Sequence, residues 1–420
     1  MTTTTSAPAA RHSTGQLMGN LIRVCAALAC CAPSAVAFEW RQFRGDDHSS
    51  VANSIKLDEA WGQQAPAMAW RQDLAGRGVS SPIVVRDRVV VTASSGPNQE
   101  RLHVLCFDAT TGRQLWHRQF WATGRTATHP TSANAAPTPA SDGESIFAFY
   151  SSNDLICLDL DGNLRWFRGL GHDYPLAAND IGMSSSPVVA GGAVVVQVEN
   201  QGDSFAAGIN ARTGENLWRL NREASANWSS PALVRGTNGT QDLVLLKGSS
   251  DISAHDPLTG RPVWKYETKD ADGIPSAVAI GDLVLVPGGN LTVLRADPRE
   301  ESPELLWQSS RVRPGPCSPV FDGQTIFALG DAGVVTAASI ESGDVMWQKR
   351  VKGSFWATPV LIDGRLVCVN QNGVVQILSV KDKGEVLSEI ELGEAVLGSP
   401  AVSDDGIFFR SDAHLWKFAL

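Results

Sequence analysis

The chain repeats itself, and that repeat limits what it can fold into. A small residue followed by proline opens an apolar run at Ser81-Pro82, Thr138-Pro139, Ser186-Pro187, Ser230-Pro231, Ser318-Pro319, Thr358-Pro359 and Ser399-Pro400, and Ile274-Pro275 reads as a degenerate eighth copy. A second pattern, Asp-x-x-Thr-Gly-x-x-x-Trp, starts at Asp108 and at Asp256, and the copy at Asn210 is one change away. Looser copies end at Trp166, Trp307 and Trp347, and the copy at Gly384 carries Leu387 where tryptophan is expected. Copies 40–57 residues apart point to a closed array of like units and argue against a two-layer sandwich.

Each unit reads as four short strands. After Ser81-Pro82 come Ile83-Val84-Val85, a turn at Arg86-Asp87-Arg88, an apolar strand, a second loop, a strand over 102–107, and then the Thr-Gly turn leading to an outer strand. Alternating apolar residues bounded by Gly, Asp and Asn support strands. Glycine after threonine supplies the positive φ of a tight turn, and the aspartate can accept the amides inside it. The tryptophan then lies on the outer strand, where its indole can bury against the next unit. Trp70, Trp116, Trp166, Trp218, Trp264, Trp307 and Trp347 are therefore expected to be core residues.

The last Ser-Pro unit has only three strands before the chain stops, and an orphan strand over 67–74 carries Trp70 in the outer-strand position. The two together make one complete unit, and closing the ring this way removes free sheet edges. The expectation is an all-β fold: a single eight-bladed β-propeller of four-stranded antiparallel blades over residues 67–420, closed by N- and C-terminal strands that share the last blade. Residues 38–66 are expected to wrap around the closure.

Residues 1–37 read as a cleavable export signal. Arg23 precedes the apolar stretch Val24–Ala32, and Ala35-Val36-Ala37 is a small-x-small cleavage pattern. The stretch falls short of the ~18 apolar residues a membrane span needs, and Ala27-Leu28-Ala29-Cys30 matches a lipoprotein signal only loosely. The expected location is the periplasm or cell envelope, compatible with peripheral membrane association, and the expected state is a monomer. Without the leader, 33 basic residues face 44 acidic ones, which argues against nucleic acid as a ligand. Cys106, Cys157, Cys317 and Cys368 read as buried thiols, and no CxxC pair occurs.

Together these motifs resemble the pyrrolo-quinoline quinone (PQQ) repeat, which builds bacterial quinoprotein dehydrogenases and BamB-like exported scaffold proteins. The opening Trp40-Arg41-Gln42-Phe43-Arg44-Gly45 is similar to the start common in exported members. The resemblance implies the fold and leaves function to the site.

Topology narrows where a site can lie. Loops between second and third strands share a face with the blade-to-blade connections, while the short Thr-Gly turns lie on the other. The long segments 121–138, 169–186, 199–204 and 221–229 fall on the first face, and long loops on a rigid scaffold are where function gathers. The candidate residues there are His129, Asn134, Asp180, Glu199, Asn200, Asp203, Trp228 and Trp356. The two tryptophans precede innermost strands and are placed to stack on a sugar, a quinone or a partner's aromatic ring, or to plug the funnel.

The preferred reading is a non-catalytic binding or scaffold protein of the BamB-like class, with protein or glycan partners. One alternative is an oxidoreductase using PQQ with Ca²⁺. The resemblance implies oxygen ligands for it, and Glu199, Asn200 and Asp203 are the candidates. A more remote alternative is a polysaccharide hydrolase or lyase with two facing carboxylates, drawn from Asp180, Glu199, Asp203, Asp251 and Asp331. No residue is assigned a catalytic role.

Overall fold

The computed structural model describes residues 38–63, 66–177, 181–236, 241–268, 271, 273–297, 300 and 302–420. The leader reading therefore lies outside the described residues, as does Asp180. Eight antiparallel blades form the fold. In blade 1 the strands run, from axis to rim, Ile83–Val85, Arg88–Ser95, Arg101–Asp108 and Gln114–Trp121. Blades 2 to 7 occupy residues 140–169, 188–221, 232–267, 278–309, 320–350 and 360–391. Blade 8 takes Ala401–Val402, Gly406–Arg410 and His414–Ala419 from the C-terminus, and its outer strand is Met68–Asp73. The orphan strand thus closes the ring, with Trp70 paired opposite Lys417.

The two sequence patterns become two belts of contacts between neighbouring blades. In the outer belt, Trp70, Trp116, Trp166, Trp218, Trp307 and Trp347 each lie against the glycine turn of the next blade. Indole N–H groups donate to backbone carbonyls: Trp116 to Leu160 at 2.9 Å, Trp166 to Ala211 at 2.9 Å, Trp218 to Pro257 at 2.8 Å and Trp307 to Ile340 at 2.7 Å. Trp70 reaches Ala109 in the same way at 3.3 Å, across the closing seam. The turn glycine is needed twice over. Gly260 has φ +69°, and a Cβ there would stand 2.7 Å from the Trp218 ring. The turn aspartate acts as the sequence suggests: Asp108 Oδ1 accepts the amides of Thr110 and Thr111 at 3.1 and 2.8 Å. Those bonds, led by Thr111, hold its carboxyl below the usual range.

Leu387 breaks the outer belt for a topological reason. Blade 8 ends at the chain terminus and has no Thr-Gly turn to receive a tryptophan. The N-terminal segment supplies one instead. A short helix, Ala60–Gln63, buries Trp61 there. Its indole donates to Ala419 O at 2.8 Å, and its carbonyl accepts from Ser388 Oγ at 2.8 Å.

The inner belt is a ring of hydroxyls. At seven of the eight blade junctions the amide of the Ser or Thr before an innermost strand donates to the hydroxyl of its counterpart in the next blade. Ser81 donates to Thr138, Thr138 to Ser186, Ser186 to Ser230, Ser230 to Ser276, Ser276 to Ser318, Ser318 to Thr358 and Thr358 to Ser399, all at 2.9–3.0 Å. This corrects the register of the degenerate repeat: Ser276, not Ile274, takes the ring position in blade 5, and Ala277 replaces the usual proline. The repeat keeps the hydroxyl, because the hydroxyl is the acceptor that joins one blade to the next.

Residues 38–63 cross the axis on the short-turn face. Trp40 pairs with Val84 of blade 1, and Arg41 O accepts from Ser141 N of blade 2 at 2.8 Å. Arg44 donates to Ala277 O of blade 5 at 2.7 Å. Val51–Ala52 adds in parallel to the innermost strand of blade 7. The segment therefore does more than wrap the seam: it forms a floor to the ring. The four described cysteines are buried free thiols, and burial pushes the Cys106 thiol up to about 12.

Candidate functional site

Floor and inner belt together leave a funnel that opens on the long-loop face. Its cavity volume is about 570 Å³. Phe43 lines the bottom, the eight ring residues form the waist, and Val79, His129, Ile181, Met183, Trp228, Ile274, Pro316, Trp356, Gln371 and Leu397 form the upper wall. Most of these upper residues come from the blade-to-blade connections. A side pocket of about 370 Å³ adjoins it, sharing Pro316, Trp356 and Gln371 and adding Asp331.

The two rim tryptophans differ. Trp228 is half-buried, with its indole N–H on Gly182 O at 3.0 Å. Trp356 is 43 % exposed. Other large apolar side chains on the same face are also exposed: Leu176 at 77 %, Ile181 at 46 % and Trp121 at 59 %. Trp121 ends the outer strand of blade 1 and is faced by the Arg101 guanidinium, 5.6 Å from its ring.

The polar candidates separate into two groups. His129 lines the funnel, and its Nδ1 lies 2.8 Å from Thr131 Oγ1. The others hold loops in place. Asn134 is buried, donating to Gln99 O at 3.1 Å and accepting from Ser152 N at 2.8 Å. Glu199 is buried with both oxygens engaged, by Arg222 Nε at 2.7 Å and Asn227 Nδ2 at 2.9 Å. Arg222 also reaches Asp251 at 3.1 Å, so one guanidinium joins the two carboxylates. Burial works against the Arg222 charge, but Glu199 and Asp251 outweigh it and raise its pKa. Asn200 Oδ1 accepts Gly202 N at 2.6 Å, and Asp203 pairs with Arg219 at 2.6 Å.

This arrangement does not fit a calcium–quinone centre at the residues expected for one. Both oxygens of Glu199, Oδ1 of Asn200 and Oδ1 of Asp203 are engaged by the protein's own donors. Among the described residues no group of three or more His, Cys, Asp or Glu is placed to hold a metal. The described funnel lining also has no Arg or Lys to meet the quinone's carboxylates. Nor do the candidate carboxylates face each other across a groove: Glu199 and Asp251 are bridged by Arg222, and Asp331 is the only carboxylate among the described residues lining its side pocket.

Repeat, ring closure and funnel define an eight-bladed propeller of the PQQ-repeat type with one pocket-bearing face. More particularly, the chain belongs to the family described as outer membrane protein assembly factor BamB, whose sequence model matches residues 56–174, 176–288 and 289–387. It is similar to BamB of Bordetella pertussis, 24 % identical over 371 residues and covering 83 % of this chain and 86 % of the relative. BamB of Burkholderia pseudomallei is 24 % identical over 350 residues, covering 78 % and 80 %. Among solved structures, BamB from Moraxella catarrhalis superposes with a TM-score of 0.61 at 16 % identity, covering 85 % of this chain and 98 % of that one. A europium-containing methanol dehydrogenase gives 0.70 at 13 % identity, covering 91 % and 98 %. At such identities these structures show the shared fold alone.

Sequence reasoning named both tryptophans that line the funnel wall, Trp228 and Trp356. It missed Leu176, Ile181, Met183 and Leu397, apolar residues within irregular loops. Their available signal was apolar side chains in segments with no strand period. It also missed Phe43, because nothing local ties an N-terminal residue to the centre of a ring.

Proposed function

We propose that this protein is a binding or scaffold component of the bacterial cell envelope, of the kind named in its family's description as an outer membrane protein assembly factor, and that it engages protein partners through the long-loop face. The observation that carries the reading is that Leu176, Trp121, Ile181 and Trp356 expose apolar surface on this face beside the funnel mouth, whereas the other exposed large apolar side chains, such as Met68, Leu164 and Met346, lie along outer strands. Exposed apolar residues gathered on one functional face mark interaction surfaces, and aromatic anchors dominate their energetics. Family membership points the same way. The leader-like residues 1–37 and the acidic mature chain suit an exported protein that does not bind nucleic acid.

The test is capture of envelope proteins by the purified chain and by a Leu176→Glu/Trp356→Glu variant. The expected result is a defined set of envelope proteins retained by the parent and reduced at least about tenfold by the variant, as for loss of two anchors. Equal capture by both would reject the long-loop face as the binding surface.

A further inference from the structure

We propose that the funnel is a binding site for a neutral saccharide, a function additional to protein capture on the surrounding loops and sharing Trp356 with it. Three observations converge on this ligand class.

The first is charge. No Asp, Glu, Lys or Arg is found among the described residues lining the funnel, and His129 is the only titratable one. An anionic or cationic ligand would lose its hydration there with no opposite charge to replace it. A neutral ligand is under no such penalty.

The second is the hydrogen-bonding state of the waist. Each hydroxyl from Thr138 round to Ser399 accepts one amide, so one lone pair is engaged. None of the eight ring hydroxyls has a protein acceptor for its own proton among the described residues. A hydroxyl is both donor and acceptor, so the waist offers a circle of unspent donors lining the cavity. A matching occupant carries several oxygen acceptors spread around its edge, as a polyol does. A purely apolar ligand would leave these buried donors unmet.

The third is the wall above the waist. Trp228 and Trp356 approach from blades 4 and 7, and Ile181 and Met183 add apolar surface. A sugar ring has an apolar C–H face beside its hydroxyl edge, so one molecule can meet both the tryptophans and the waist. The volume of about 570 Å³ falls within the ~300–1,000 Å³ usual for pockets that hold small organic molecules.

The experiment is calorimetric titration of the purified protein with neutral oligosaccharides: maltotetraose, cellotetraose and tri-N-acetylchitotriose. Galacturonate trimer serves as the charged comparison, and a short apolar peptide as the alternative occupant. The proposal expects saturable binding of at least one neutral saccharide and none of the charged trimer. It further expects affinity to fall at least about tenfold in Trp356→Ala, a factor worth ~1.4 kcal/mol. Trp228→Ala gives a second reading, and thermal melting of each variant distinguishes a lost contact from a lost fold. Silence towards all three neutral saccharides overturns the proposal, as does binding that Trp356→Ala leaves unchanged, or binding of the peptide alone. Protein capture is read separately, so failure here leaves the binding reading of the loop face standing.

Discussion

Tryptophan does two different jobs in this molecule. On the outer wall, Trp116, Trp166, Trp218 and Trp307 repeat one contact: ring on a glycine turn, indole N–H on a carbonyl of the next blade. On the funnel rim, Trp228 and Trp356 obey no repeat, and Trp356 is left largely open. The wall set satisfies its polar group and packs its ring against the next blade, Trp218 buried and Trp116, Trp166 and Trp307 half-buried, short of the full burial expected from the repeat. Trp356 leaves apolar surface for something else to cover. Residues that follow the repeat build the propeller, whereas Trp356, which departs from it, stays exposed on the rim. Trp61 shows how firm the first rule is. Where Leu387 interrupts the series and blade 8 lacks a turn, a tryptophan from outside the repeat takes the same carbonyl-directed role.

The contrast can be broken most forcefully on the wall. Trp218→Ala should destabilise the fold by about 3–5 kcal/mol, the usual cost of emptying a buried aromatic site. A denaturant titration would check this, and a loss under about 1 kcal/mol would mean the outer belt is packing of no special weight.

The inner belt should respond less. Ser186→Ala removes the acceptor for the Thr138 amide and leaves a buried N–H unmet. The expected loss is about 1–3 kcal/mol, readable in the same titration. Ser276→Ala should cost a similar amount, since Ser276 links Ser230 to Ser318 although no proline follows it. If Ser276→Ala cost nothing, the ring position in blade 5 would need another explanation.

A smaller effect should come from pH. His103 Nδ1 lies 2.9 Å from His117 Nε2, and His103 Nε2 lies 2.7 Å from Ser95 Oγ. Burial first, then the neighbouring His117 and Arg101, push His103 down to about 4. Burial first, then Arg118, also lowers His117. The folded state therefore favours the neutral rings, and their contribution is complete above the ordinary histidine value of about 6.5. It is lost as pH falls from there through about 4, because the unfolded chain binds protons more readily. Unfolding midpoints measured between these limits should decline, and His103→Gln should flatten the decline. An unchanged slope in that variant would place the acid sensitivity elsewhere, in turn carboxylates such as Asp108 whose folded values are also lowered.

The sequence carried much of this fold because a repeat is an internal alignment. Eight copies exposed the blade count, the glycine turns and the outer tryptophans, and the orphan strand with Trp70 disclosed the closure. The mistaken register at Ile274-Pro275 arose from following proline, whereas the belt depends on the serine hydroxyl that comes next. The site was less legible. Glu199, Asn200 and Asp203 read as free oxygen ligands, but Arg222, Asn227 and Arg219, each at least sixteen residues further on, take up Glu199 and Asp203, while Asn200 caps its own turn. Such partners are set by where blades and loops meet in space, which no local pattern reveals. The rim residues Leu176 and Ile181 carry no periodic signal either, because irregular loops have none.

The most direct measurement pairs two readings on one variant, Leu176→Glu/Trp356→Glu: its unfolding midpoint beside its capture of envelope proteins. Both side chains stand exposed and outside the belts, so stability should stay within about 0.5 kcal/mol of the parent while capture collapses. A variant that unfolds early would show that the rim belongs to the framework. One that keeps both stability and capture would contradict the division of labour between wall and rim.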